Sequence, residues 1–273
     1  MTPRGRPPVL HRIQYYYRQK DLLVSYIRKD LRERYVGSFF GFYWSVINPL
    51  ILLGIYTFVF SVIFKVRFGD QPSGLAHSAL FIYCGMVPWM AFHESVGRCT
   101  GVLVDNANLL KKVMFPAKIL PMYLVLSHVV NLAIGMAILV LAGALAGSPP
   151  TPCMLFLPLL VGLQVTLTLG LGWIAAAVNV FVRDMAQLIN QVLVMWMYLS
   201  PIFYSLDVIP EDIRKWSALN PWAALVESYR DVMLRGRVPD LAGLGAFALF
   251  AVVVFIAGYF FFNRFKHEFA DVL

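Results

Sequence analysis

Runs of apolar residues separated by short polar breaks dominate this chain. About 20 apolar residues suffice to cross the hydrocarbon core of a bilayer as an α-helix, the form that satisfies its own backbone polar groups in lipid. The pattern predicts six such spans, near 42–64, 77–99, 122–146, 154–181, 185–204 and 241–262. The expected fold class is therefore an all-α integral membrane protein. Two features mark the second span: Pro88, which removes a backbone donor and predicts a kink, and the polar trio His93, Glu94 and Arg98 near its far end. Glu94 and Arg98 stand four apart, so the spacing predicts a pair on one helix face, with Arg98 placed to snorkel.

The segments between and before the spans carry their own patterns. Residues 1–10 are rich in Pro and Arg. Between residues 11 and 35, Ile13, Tyr16, Tyr17, Val24, Ile27 and Leu31 recur near helical spacing among Arg12, Arg18, Lys20, Arg28, Lys29, Arg32 and Arg34. This basic amphipathic pattern suits a helix lying in the membrane interface; a solvated charged helix is the plainer alternative. Residues 105–121 form a polar interruption between the second and third spans. Within it, Asn106, Leu109, Leu110, Lys111, Lys112, Met114, Phe115 and Pro116 mix apolar anchors with cations, as a docking helix for a partner groove would; an ordinary connecting loop fits the same composition. Residues 205–239 predict two short helices. The first is announced by Pro210, Glu211 and Asp212. The second, after the Asn220-Pro221 break, carries Trp222, Leu225, Val226, Tyr229 and Met233 on one face. Neither is long enough to span, so they read as a re-entrant hairpin or as a surface loop. Residues 263–273 form a charged tail.

Composition sharpens the class. Hydrophobic residues make up 59% and charged residues 14% of 273, against about 25% charged in a soluble domain. The net charge of +8 would suggest nucleic acid in a soluble protein. Here nine basic residues precede the first span, the pattern of a segment facing lipid headgroups, and no nucleic-acid partner is expected. With six spans both termini share one side, which collects 16 of the 23 Lys and Arg residues against 7 opposite. The positive-inside rule makes that side cytoplasmic. Cys84, Cys99 and Cys153 have neither CxxC spacing nor His partners at ligand spacing and read as membrane-embedded thiols. No secretory signal pattern opens the chain.

Candidate chemistry is sparse. The chain has no GxxxxGK[ST] phosphate loop and no HExxH, so no ATPase site, metal site or other cofactor is expected on it. Glu94 is the one acid inside a span, which argues against an enzyme and against an ion-coupled carrier. The aromatic residues, Trp44, Trp89, Trp173, Trp196 and Trp222 among them, fit interface belts; a stacking track for sugar rings is the other reading. What remains is a pathway former with a cytoplasmic docking surface.

Six stretches in order carry a resemblance: RYVGSFFGFYWSVINPL at 34–50, NANLLKKVMFP at 106–116, RD at 183–184, LSPIFYS at 199–205, NPW at 220–222 and FADVL at 269–273. Their order resembles the permease subunits of type-2 ABC exporters that move lipid-linked polysaccharides such as O-antigen, capsule and teichoic acid. The likeness covers nearly the whole chain beyond residue 10. It implies an N-terminal interfacial helix over 1–41, six spans, re-entrant helices on the outer side and a home in the bacterial inner membrane. It also implies a homodimer with two copies of a nucleotide-binding subunit that holds ATP and Mg²⁺. Residues 106–116 would be the coupling helix on that ATPase. The path between the two permease copies would be lined from spans one and five, which nominates Tyr35, Tyr43, Trp44, Trp196, Tyr198 and Tyr204. Arg28, Lys29, Arg32 and Arg34 would receive a diphosphate-linked lipid, or else anionic membrane headgroups. Alternatives are a permease for a drug or small lipid, an enzyme acting on lipid-linked sugars, and a secondary carrier.

Overall fold

The computed structural model describes residues 9–34, 40–63, 75–112, 115–147, 149–206, 210 and 220–273, with side chains given from residue 20 onward except at 42, 60–62, 75–76, 112 and 270. Among them the chain is helical, with no strand. Helix α1 is Val9–Glu33, α2 is Trp44–Tyr56 and continues as π-helical turns over Thr57–Ile63, and α3 is Leu75–Asp105. Helix α4 is Ala107–Lys112, α5 is Ile119–Leu145, and α6 is Leu157–Phe181, led in by a 3₁₀ turn over Pro152–Phe156. Helix α7 is Met185–Leu199, α8 is Pro221–Arg230 with π-helical turns over Asp231–Arg235, α9 is Leu241–Phe265 and α10 is Phe269–Val272.

Helix α5, the segment Pro152–Phe181 and helix α9 are long and apolar enough to cross a membrane. At 1.5 Å per residue, the 27 residues of α5 extend about 40 Å, more than the ~30 Å hydrocarbon core. Helix α3 is longer still, at 31 residues, but carries the His93, Glu94 and Arg98 trio. Apolar helices of shorter length occupy Trp44–Val59 and Met185–Leu199. The fold is thus all-helical and membrane-spanning, with three helices whose length and apolarity make crossing plain.

Pro88 does not break α3, which runs unbroken past it. The buried Gln164 of α6 donates from Nε2 to the Pro88 carbonyl oxygen at 2.9 Å, and Tyr229 of α8 in turn donates its hydroxyl to Gln164 Oε1 at 2.9 Å. Neighbouring helices supply polar partners beside the proline, as lipid cannot.

Two clusters form the interior. The larger joins α3, α5, α6, α8 and α9 through residues such as Phe81, Phe92, Leu132, Leu167, Trp222 and Phe247. The smaller lies toward α4 and gathers Leu103, Leu124, Trp173, Phe262 and Phe269. Between α6 and α9 the backbones nearly touch: a methyl group on Gly170 would stand 2.7 Å from Phe255 Cα. Small residues at such crossings let dispersion contacts replace the hydrophobic drive that lipid does not provide.

Helix α8 is the structural surprise. The expected apolar face is buried throughout, with Trp222, Leu225, Val226 and Tyr229 all fully enclosed. Asn220 caps the helix, its Oδ1 accepting from Trp222 N at 3.1 Å with Pro221 at the first position, the arrangement that suits a helix start. Arg230 is also fully buried. It donates to Glu227 at 2.7 Å and to the Ile202 carbonyl at 2.8 Å, and its guanidinium lies 3.5 Å from the centre of the Phe81 ring. The first helix expected in this region falls outside the described residues.

Candidate coupling and translocation surfaces

At one end of the bundle, α1, α4 and α10 meet. Helix α4 begins at Asn106, whose carbonyl accepts from Leu109 N and Leu110 N at 3.0 and 3.2 Å, while its side-chain amide donates to the Val102 carbonyl at 2.8 Å. This ties the short helix to the end of α3. Leu109, Leu110 and Phe115 are partly buried against the smaller cluster, whereas Lys111 is exposed. The Phe115 ring packs on Tyr26 of α1 at 5.5 Å, and Tyr26 packs on Tyr123 of α5 at 5.3 Å. Pro116 accepts from Ile119 N at 2.9 Å and so opens α5. The FADVL tail closes the same platform, with Phe269 1% exposed and its ring 5.2 Å from Phe262. Met114 lies outside the described residues, as does the side chain of Lys112.

Helix α1 is held by a polar network that its basic pattern concealed. Asp30 is 6% exposed. It accepts from Arg98 of α3 at 2.5 Å, from Arg34 Nε at 2.9 Å, and from the Ser127 hydroxyl of α5. Arg34 also donates to Ser127 at 2.6 Å. Burial by itself would raise the Asp30 carboxyl, but hydrogen bonds from Arg98 and Ser127 and the charges of Arg34 and Arg98 outweigh it and hold it below the usual carboxylate range. The expected Glu94–Arg98 pair gives way to partners on other helices: Arg98 reaches α1, and Glu94 Oε2 faces His128 Nε2 of α5 at 3.3 Å. His128 Nδ1 sits 2.8 Å from the Leu124 carbonyl oxygen and 3.3 Å from Arg34 Nη2. One signal for the network was present in sequence. Leu23, Ile27, Asp30 and Arg34 follow helical spacing, so the acid lies on the buried stripe; Val24, by contrast, is exposed.

The four cations nominated for an anionic lipid separate into two groups. Arg34 turns inward and is 14% exposed beside Asp30. Arg28, Lys29 and Arg32 line a shallow surface groove with Ser25 and Glu33. There the Lys29–Glu33 pair is 3.7 Å apart with both side chains 62% exposed, an arrangement that holds little energy.

The aromatic candidates separate too. Tyr43 of α2 and Tyr198 of α7 are exposed, at 73% and 64%. Tyr198 stacks on Phe203 at 5.8 Å, and the Tyr204 hydroxyl donates to the Tyr198 carbonyl at 3.3 Å. Trp44 is half-buried, its ring edge-on to Phe40 at 5.7 Å. Trp196 points into the interior, where it meets Trp89, Phe92 and Trp222 at 5.6–6.4 Å and donates Nε1 to Asn220 Oδ1 at 2.9 Å. Tyr35 lies outside the described residues. Outward apolar side chains crowd α7 and α2, among them Val192, Met195, Leu50 and Phe58. Among the described residues no three His, Cys, Asp or Glu side chains converge as a metal site would require.

Comparison with known proteins places these features in a lineage. A family model described as ABC-2 type transporter matches residues 22–234, from α1 to the end of α8. The O-antigen export system permease protein RfbA of Myxococcus xanthus is 32% identical over 257 residues, covering 93% of this chain and 96% of the relative. The protein of the same name from Klebsiella pneumoniae is 29% identical over 254 residues, with 93% and 95% covered. The polysialic acid transport protein KpsM of Escherichia coli is 21% identical over 245 residues, with 88% and 92% covered. The matched region takes in the second half of α1, α4 and α8, and this chain belongs to the ABC-2 type transporter family of membrane proteins.

Proposed function

We propose that this chain is the membrane-spanning permease subunit of an ATP-driven exporter for a lipid-linked polysaccharide of O-antigen or related capsule or teichoic-acid type. The observation that carries this reading is the likeness, over 93% of the chain, to permeases named for O-antigen export. In this reading two copies form the translocation path, and two copies of a separate nucleotide-binding subunit bind ATP and Mg²⁺. The chain crosses the inner membrane six times with both termini in the cytoplasm, and it carries no catalytic site. The short π-ended α2 and the 15-residue α7 cross as partners of the second copy, whose contact would cover their outward apolar faces.

The platform geometry suggests how force enters. Closure of the ATPase pair pushes on α4, with Lys111 at the surface. Phe115 hands the push to Tyr26 of α1, and Asp30 ties α1 to α3 and α5 through Arg98 and Ser127. Three helices therefore move with α4 as one body, and opening occurs at the less tightly held α2 and α7 edges. Tyr43 and Tyr198, exposed there, offer ring faces to a passing sugar chain. Arg28, Lys29 and Arg32 offer unpaired or weakly paired charge to a diphosphate.

The test is co-purification of the tagged chain with products of neighbouring genes. The expected result is an ATPase subunit eluting at one-to-one stoichiometry, released by Lys111→Glu or Leu109→Asp. A chain that purifies alone beside an expressed ATPase neighbour would remove the reading.

A further inference from the structure

A cavity of about 310 Å³ lies between α2, α3 and α5, room for about ten waters at ~30 Å³ each. Trp44 and Asn48 of α2, Tyr83 and Glu94 of α3, Asn131 of α5, and Arg34 line it. Two of these leave polar atoms unanswered. The hydroxyl of Tyr83, a residue 1% exposed, and Oδ1 of Asn131 are buried with no hydrogen-bond partner among the described residues. Buried polar atoms are ordinarily partnered, so this pair of groups calls for an occupant that both donates and accepts. The charges at one end do not call for an ion. Arg34 is bound to Asp30 at 2.8 Å and Glu94 faces His128 at 3.3 Å. A phosphate would find no free cation there. The indole and phenol rings supply apolar faces beside the polar groups, which suits a ligand with hydroxyls on its rim and C–H bonds on its face.

We propose that this cavity, inside a single subunit, binds one neutral pyranose unit. Tyr83 and Asn131 hydrogen-bond its hydroxyls, and Trp44 lies against its C–H face. That the sugar belongs to the exported glycan rests on the function proposed above; the recognition itself rests on the cavity. The site is separate from the exposed Tyr43 and Tyr198, and it shares Arg34 and Glu94 with the network that fastens α1. A bound sugar is thereby in contact with the residues that join the ATPase-facing platform to the bundle.

The test uses the purified permease–ATPase complex in nanodiscs and a photoreactive alkyl β-glucoside. The expected result is saturable labelling of the α3 segment around Tyr83 and the α5 segment around Asn131. Unlabelled glucoside competes, and an alkyl phosphate of the same chain does not. Tyr83→Phe and Asn131→Leu each raise the half-saturating concentration roughly three- to tenfold, the loss of one hydrogen bond. Tyr83→Phe keeps the ring and removes one oxygen, so it answers the question even where Asn131→Leu fails to assemble. Labelling that is unchanged in Tyr83→Phe, equal competition by the alkyl phosphate, or water as the sole occupant overturns the proposal. Competition by the lipid-linked glycan assigns the sugar to the cargo. A co-purifying glycolipid that the glycan cannot displace overturns that assignment. ATP-driven export is read on the same preparation. Export without sugar labelling sinks the cavity site alone, and labelling without export sinks the exporter reading alone.

Discussion

Replacing Asp30 with Asn isolates the fastening of α1. The substitution keeps shape and removes the charge that Arg98 and Arg34 bind at 2.5 and 2.8 Å. Breaking a buried ion pair by losing one partner costs about 3–5 kcal/mol. Arg98 is 43% exposed on its side chain, so water recovers part of that cost, and about 2–3 kcal/mol is the expected loss after screening. The effect should be local, because α1 is held to α3 and α5 by this network and by the Tyr26 contacts. Hydrogen exchange of the α1 amides, compared with those of α6, reads it directly. A loss of that size speeds exchange in α1 about 30- to 150-fold by the usual factor of ten per 1.4 kcal/mol, and leaves α6 unchanged. A double-mutant cycle with Arg98→Gln supplies the control, and the two effects should fall well short of additive. Equal exchange in wild type and Asp30→Asn, or full additivity with Arg98→Gln, would show that the Asp30 network does not fasten α1.

The depressed carboxyl makes a pH prediction with a definite sign. A group whose folded pKa is lowered stabilises above its unfolded pKa and loses that contribution as pH falls through the folded value. Protection of α1 should therefore stay constant above about pH 4, fall only in stronger acid, and become flat over that acid range in Asp30→Asn. At the α6–α9 crossing, Gly170→Leu drives a side chain into the backbone at Phe255; a loss of at least about 1–3 kcal/mol should appear as a lower apparent melting temperature in detergent. Arg230→Met strips the buried contacts to Ile202 and Glu227, but Arg235 still holds Glu227 at 2.7 Å, so about 2–3 kcal/mol is expected, read as a lowered melting temperature. Gln at Arg28, Lys29 and Arg32 together should weaken binding to vesicles containing anionic lipid and lower export, while leaving ATPase association intact.

The membrane class and the helix positions were legible because apolar runs and Gly/Pro breaks are local signals. The polar interior was less so. Asp30 meets Arg98 and Ser127 across 68 and 97 residues of sequence, and no local pattern pairs them. The i, i+4 rule put Glu94 and Arg98 on one face, yet each takes a buried partner on another helix: Arg98 bonds the enclosed Asp30 of α1 and Glu94 faces the enclosed His128 of α5. Arg230 shows the same limit: nothing local marks its burial, and only the docking of α8 against Phe81 and the Ile202 turn encloses it. Trp196 was nominated for a path by its place in a span, but the side of α7 that it occupies faces Trp89 and Trp222. Tyr43 and Tyr198, from the same reasoning, do reach the surface. The α4 platform was readable as apolar anchors beside lysines, whereas its union with Tyr26 and the FADVL tail required the fold.

ATP-driven glycan export can be measured in inverted membrane vesicles. Vesicles holding this chain and its ATPase partner are given lipid-linked glycan, and glycan protected inside is measured. Accumulation is expected to require ATP, to stop when the partner's hydrolytic residue is removed, and to ignore ionophores. Accumulation that proceeds without ATP and collapses with ionophores would contradict ATP-driven export and mark the chain as an ion-coupled carrier.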